Sequence, residues 1–213
     1  RGSSAEQDFR REFCVHVAAL ADAGFNFSGT PEIVCALPGG RTNQNFLIQD
    51  ACAQYVLRVA NPASVELGIC RERERTLLAL AADAGLAPGH LCSVGELGLD
   101  LFEYLSGRTP SPLELARVAT AAAEVLHAVH RLQAPAAPFD YATHLCRLAG
   151  RPPTAQVTKA MQILSTQGTR ALVHHDPTPS NWRLETTGLK LIDWEYAALG
   201  FAEVDWAALM VEA

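Results

Sequence analysis

The sequence predicts an α+β chain in two parts: an N-terminal antiparallel sheet of five strands with one long helix, then a mainly helical part that carries a short hairpin. Three observations lead there. Short runs of strand-like composition follow one another at residues 33–37, 45–49 and 54–60 with brief connections, which favours antiparallel neighbours. Two more, at 90–94 and 100–105, flank a turn at 95–98. Beyond Gly107 the pattern turns to an Ala-rich helical period.

In chain order, Phe13, Val17 and Leu20 recur near helical spacing within an opening helix at 5–23, which Gly24 stops. Gly39-Gly40 makes the turn between the first two strands, and Asn61-Pro62 follows the third. The stretch 67–84 carries Leu77, Leu78, Leu80 and Ala81 behind a mixed-charge head and ends at Gly85, so it reads as a helix. Ser111-Pro112-Leu113-Glu114 is a helix start, with a capping serine, proline at the first helical position and an acid three residues on. That helix should run to about Leu132. Pro135, Pro138, Pro152 and Pro153 then cut the chain into short pieces; a helix is expected at 154–167 and strands at 171–173, 182–184 and 189–192.

Composition removes several function classes. The 49% hydrophobic fraction of 213 residues builds a sizeable core, while the net charge of −6 and the lack of a Lys/Arg run argue against nucleic acid as a partner. No apolar stretch is long enough for a membrane span. The six cysteines are scattered without a CxxC pair, which predicts free buried thiols in a reducing cytoplasm. The expectation is a cytoplasmic protein acting on a small molecule; the oligomeric state is open.

The most informative stretch is His174-His175-Asp176-Pro177-Thr178-Pro179-Ser180-Asn181, followed after a hairpin by Leu191-Ile192-Asp193-Trp194-Glu195. Asp176 and Asn181 stand five apart, and Asp193 caps an apolar strand. The order is that of the protein-kinase catalytic loop, H-R-D-x-x-x-x-N, and of the Asp that opens D-F-G. The types suit the chemistry, because one carboxylate must take or orient a hydroxyl proton while oxygen ligands hold Mg²⁺ against phosphates. Any one of the three could be a plain turn residue or cap; their order together is what points to a site.

Small-molecule kinases usually write this loop His-Gly-Asp and place the metal-binding Asp in an Ile-Asp-Trp or Ile-Asp-Phe context. The chain therefore resembles the choline/ethanolamine kinase, thiamine kinase and aminoglycoside phosphotransferase superfamily, and its choline and thiamine branch most closely. The resemblance implies a protein-kinase-like two-lobe fold, with residues 5–106 as the nucleotide-binding lobe and 107–213 as the catalytic lobe. It implies ATP and Mg²⁺ as cofactors, Asp176 as the base, and Asn181 and Asp193 as metal ligands. Leu37-Pro38-Gly39-Gly40-Arg41-Thr42-Asn43 matches the family's nucleotide loop, giving Gly39, Gly40, Thr42 and Asn43 as nucleotide contacts, although Gly-Gly alone is more often an ordinary hairpin. Arg58 stands where protein kinases put Lys, facing the α- and β-phosphates, with Glu74 as its expected helix partner and Glu72 as the competing choice. Glu103 and Leu105 are expected at the hinge that meets adenine. His127 and His130 read as core or network residues rather than metal ligands, and Asp205 as a brace for the catalytic loop.

The implied activity is transfer of the γ-phosphate of ATP to a hydroxyl of a small alcohol. A cationic one, of choline, ethanolamine or thiamine type, is favoured because residues 192–197 supply two carboxylates and two aromatics beside the metal. The alternatives are an aminoglycoside or sugar kinase of the same fold and a nucleotide-binding pseudokinase. The family usually continues with helices that complete the substrate pocket, so the catalytic lobe is expected to be incomplete at its C-terminus, either as part of a longer polypeptide or as a shortened variant.

Overall fold

The computed structural model describes residues 4–38, 43–61 and 67–212. Two compact units form, one from Arg1–Ser64 with His90–Tyr104, the other from Val65–Gly89 with Leu105–Ala213.

The first unit holds helix α1 (Ser4–Asp22) and the strands β1 (Glu32–Leu37), β2 (Asn43–Gln49), β3 (Gln54–Ala60), β4 (His90–Val94) and β5 (Leu99–Glu103). The five strands form one antiparallel sheet, as expected, in the order β1-β2-β3-β5-β4, so β5 lies between β3 and β4. Alternation along the strands sends Ile48, Leu57, Leu99 and Leu101 inward, where Phe13 and Leu20 of α1 cover them. Phe25, Phe27 and Tyr55 meet edge to face at the end of this core, and the Tyr55 hydroxyl donates to Asp50 at 2.9 Å. Asp50 also accepts the amides of Cys52, Ser28 and Ala53, which hold its carboxyl down at about 2.

The second unit holds α2 (Arg71–Asp83), α3 (Pro112–Arg117), α4 (Ala119–His130), α5 (Tyr141–Ala149), α6 (Ala155–Gln167), β6 (Arg170–Val173), β7 (Trp182–Glu185), β8 (Gly188–Leu191), β9 (Ala198–Phe201) and α7 (Ala202–Glu212). Ser111 caps α3 through the expected capping box with Glu114. The helix expected to run unbroken to Leu132 is in fact two: Val118, at φ −108° and ψ 20°, ends α3, its N–H shared between the carbonyls of Glu114 and Leu115. Two elements had no sequence signal. Asp140 caps α5 by accepting from the Thr143 amide, and β9 pairs antiparallel with β6. Gly200 sits inside β9 because a side chain there would strike the Tyr141 hydroxyl and come 2.6 Å from His175 Nε2. The core collects Leu77, Leu78, Leu115, Leu126, Val129, Trp182, Leu191 and Trp194, with Trp182 Nε1 donating to the Pro177 carbonyl at 2.9 Å.

Among the described residues no helix is long and apolar enough to cross a membrane. The cysteines form no disulfide with one another, but the expectation that they are buried fails. Cys14, Cys35, Cys52 and Cys70 are exposed and Cys92 and Cys146 half-buried, because they fall on the outer face of α1, an edge strand, a turn and a helix cap.

Candidate functional site

The loop from His174 to Asn181 connects β6 to β7, and its shape is set by hydrogen bonds within the second unit. Asn181 Nδ2 donates to the Asp176 carboxylate at 2.8 Å and to the Asp176 carbonyl at 2.9 Å. The Asn181 carbonyl in turn accepts from the Ile192 amide at 2.9 Å, extending the β7–β8 ladder that pairs Trp182 with Leu191. That ladder brings the residue before Asp193 against Asn181. One hairpin thus brings Asp176, Asn181 and the residue before Asp193 together.

Asp205 braces the loop from behind. Fully buried in α7, it accepts the amides of His174 and His175 at 2.9 and 2.8 Å and the His130 ring at 2.9 Å. Burial alone would raise its carboxyl, but these donors, led by His130, outweigh it and leave the group below its ordinary range. His130 is therefore a network residue, and among the described residues no group of three His, Cys, Asp or Glu could hold a metal. His127 is exposed on α4, outside that network.

His174 is wholly buried, which lowers its pKa and keeps the ring neutral. Its Nε2 faces the Ile192 carbonyl at 3.1 Å and so carries the proton, while Nδ1 accepts from the Asp176 amide at 3.3 Å. Among the described residues two that are not glycine have positive φ, His175 at 70° and Asp193 at 63°. Such conformations persist where surrounding contacts over-determine them.

Asp193 and Asn181 suit a hard divalent cation. Both bonds from the Asn181 side chain use its nitrogen, which leaves the amide oxygen as a ligand atom, and Asp193 supplies a carboxylate. Mg²⁺ is commonly held by one or two protein oxygens, with phosphates and waters completing the shell, so a two-residue donor set fits.

Glu74 is buried on α2 whereas Glu72 is exposed, so Glu74 is the inward-facing acid of that helix. Arg71 bridges Glu74 at 2.7 Å and Glu195 at 3.2 Å, tying α2 to the segment after Asp193. This corrects one expectation: Glu195 is engaged by Arg71, and Trp194 is packed in the core against His174, with its Nε1 bonded to the Leu191 carbonyl. Neither offers itself to a ligand. Tyr196 remains half-exposed, and its hydroxyl is pushed up to about 12 by burial and by the carboxylates of Glu195, Asp193 and Asp176.

In the first unit, Arg58 is buried in β3 and pairs with Asp100, its cross-strand partner on β5, at 2.9 Å, with its guanidinium over the Phe102 ring. Asp100 also meets His90 Nε2 at 3.1 Å. The signal for Asp100 was a charge inside an otherwise apolar strand. Asn43 opens β2, buried, and Glu103 closes β5 opposite Tyr55. Leu105 is buried in the second unit. Gly39, Gly40 and Thr42 lie outside the described residues.

Residues 33–211 match the model of the phosphotransferase enzyme family. Protein LicA of Haemophilus influenzae is 27% identical over 208 residues, which cover 89% of this chain and 61% of that protein. The chain thus spans about three fifths of that relative's length. The crystal structure of choline kinase LicA from Streptococcus pneumoniae superposes with a TM-score of 0.68 at 25% identity, over 84% of this chain and 70% of that one. A structure of LicA in complex with AMP gives 0.69 at 24% identity, over 99% of this chain and 75% of that one. With the fold, the ordered motifs and the family match in agreement, the chain belongs to the phosphotransferase enzyme family, in the protein-kinase-like superfamily that includes choline kinase LicA.

Proposed function

We propose that the chain carries the nucleotide- and metal-binding machinery of a small-molecule kinase that moves the γ-phosphate of ATP to the hydroxyl of a cationic alcohol. The observation that carries this reading is the junction of Asp176 with Asn181 at 2.8 Å, next to the ladder that delivers Asp193. Asp176 accepts the proton of the attacking hydroxyl as that oxygen bonds to the γ-phosphorus and the bridging oxygen leaves with ADP. Asn181 orients the Asp176 carboxylate with its nitrogen and offers its oxygen, with Asp193, to Mg²⁺. The metal, when bound with the phosphates, supplies the charge that neutralises them. Arg58 offers a fixed guanidinium to the α- and β-phosphates, and Asn43 lies beside the nucleotide loop. Glu103 and Leu105 are the proposed adenine-side residues, and Glu74 the inward acid of α2.

The choice of a cationic alcohol draws support from Tyr196, whose phenol lies in the field of three carboxylates. Two of the similar proteins are also described as choline and ethanolamine kinases. An aminoglycoside substrate is the second reading, since an aminoglycoside phosphotransferase crystallised with AMP-PNP and hygromycin B shares the fold. The test is ATP turnover with choline, ethanolamine, thiamine, an aminoglycoside and ribose-like sugars as acceptors. Highest kcat/KM for one of the first three is expected; a preference for sugars overturns the substrate class. Nucleotide binding without turnover on any acceptor makes the protein a pseudokinase.

A further inference from the structure

Position 175, glycine in the family's usual loop, is here a histidine at φ 70°, although glycine is the residue that adopts this conformation without a Cβ penalty. Its ring is fixed on every side. Nδ1 faces the Tyr196 carbonyl at 3.0 Å and so must carry the proton, while Nε2 accepts from the Tyr141 hydroxyl at 2.8 Å. That hydroxyl accepts the Phe201 amide at 3.0 Å, and Phe139 stacks on the imidazole at 4.1 Å between centroids. Gly200 leaves the room for this approach.

The carbonyls taken by the two histidines stand on either side of Asp193. His174 holds Ile192, the residue before it, and His175 holds Tyr196, three residues after it. We propose that His175 is a positioning residue for Asp193: with His174, in the opposite tautomer, it clamps both flanks of the turn in which Asp193 is held at positive φ. The loop of the proposed base and the turn of the proposed metal ligand then move as one body. The kinetic consequence rests on the phosphotransferase reading above, but the clamp itself does not.

Two measurements test it. Long-range ¹H–¹⁵N spectra of the histidine side chains in the nucleotide-free protein should show His174 as the neutral Nε2–H form and His175 as the neutral Nδ1–H form; an Nε2–H signal at His175 overturns the clamp. Binding of ADP is then titrated with Mg²⁺ and with EDTA. His175→Gly, which suits the backbone, should reduce the Mg²⁺-dependent gain in ADP affinity by about tenfold, the range for loss of a residue that orients a metal ligand, and leave metal-free affinity within about twofold. His175→Asn, whose amide can replace Nδ1–H and which tolerates positive φ, should restore most of the gain. An unchanged gain in His175→Gly sinks the proposal, as does equal loss with and without metal. Should His175→Gly not fold, Tyr141→Phe, which removes the donor to Nε2, is titrated in its place with the same criteria. Wild-type protein that binds no ADP overturns the phosphotransferase reading instead, and the tautomers then decide the clamp.

Discussion

Asn181 donates through one nitrogen to both the side chain and the main chain of Asp176, at 2.8 and 2.9 Å. The five-residue spacing thus closes the loop on itself and fixes the direction in which the Asp176 carboxylate points. Asp176→Asn keeps an oxygen for Asn181 to bind but removes the charge proposed to take the hydroxyl proton. The variant should keep its melting temperature and bind ATP within a few-fold, while kcat falls by ~10²–10⁴. Near-wild-type kcat would remove Asp176 from the role of base.

Asp193 supplies the charged half of the proposed donor pair. Asp193→Ala should therefore weaken Mg·ATP binding far more than binding of metal-free ATP, by about tenfold or more. Calorimetric titration with Mg²⁺ and with EDTA separates the two, and equal losses would reduce Asp193 to a strand cap.

Asp205 and the histidines it braces make stability sensitive to acid. His175, whose pKa is pushed down to about 4 by burial, stays neutral in the fold yet charges near 6.5 when unfolded. Between those values the unfolded chain binds the extra proton, so stability falls as pH drops, by about 3 kcal/mol at most from this group. Buried His174 shifts in the same direction. The depressed Asp205 carboxyl contributes stability that is present above its unfolded value and lost as pH falls through its folded one. Urea unfolding from pH 7 to 4 should show a steep loss, and His175→Asn should flatten it; a slope unchanged in that variant contradicts the assignment. Asp205→Ala, which leaves two buried amides and His130 without their acceptor, should cost about 3–5 kcal/mol at pH 7.

Gly200 is a packing requirement rather than a hinge. In Gly200→Ala the added methyl group would overlap the Tyr141 hydroxyl and His175 Nε2, forcing that pair apart. Overpacking of this kind costs about 1–3 kcal/mol. Thermal unfolding should record the loss, and the histidine spectrum should lose the fixed Nδ1–H signal of His175; a stable variant with that signal intact would show that β9 gives way instead.

The sequence by itself determined most of the order of elements and the residue types proposed to carry chemistry. Short runs of strand-like composition between turns set β3 and β4 to the residue, the serine–proline–glutamate start set α3, and the spacing of Asp176, Asn181 and Asp193 marked the loop, because all of these are local properties of the chain. Only the tertiary structure decided which neighbours those side chains meet. Asp100 reaches Arg58 across 42 residues, Arg71 reaches Glu195 across 124, and Tyr141 reaches His175 across 34, so no local pattern could announce the pairs. The same holds for Trp194 and Glu195, which composition offers to a ligand and packing turns inward. β9 was illegible for a related reason: a four-residue strand with a glycine inside it has little propensity of its own, and it exists because β6 supplies a partner while Tyr141 and His175 demand the space.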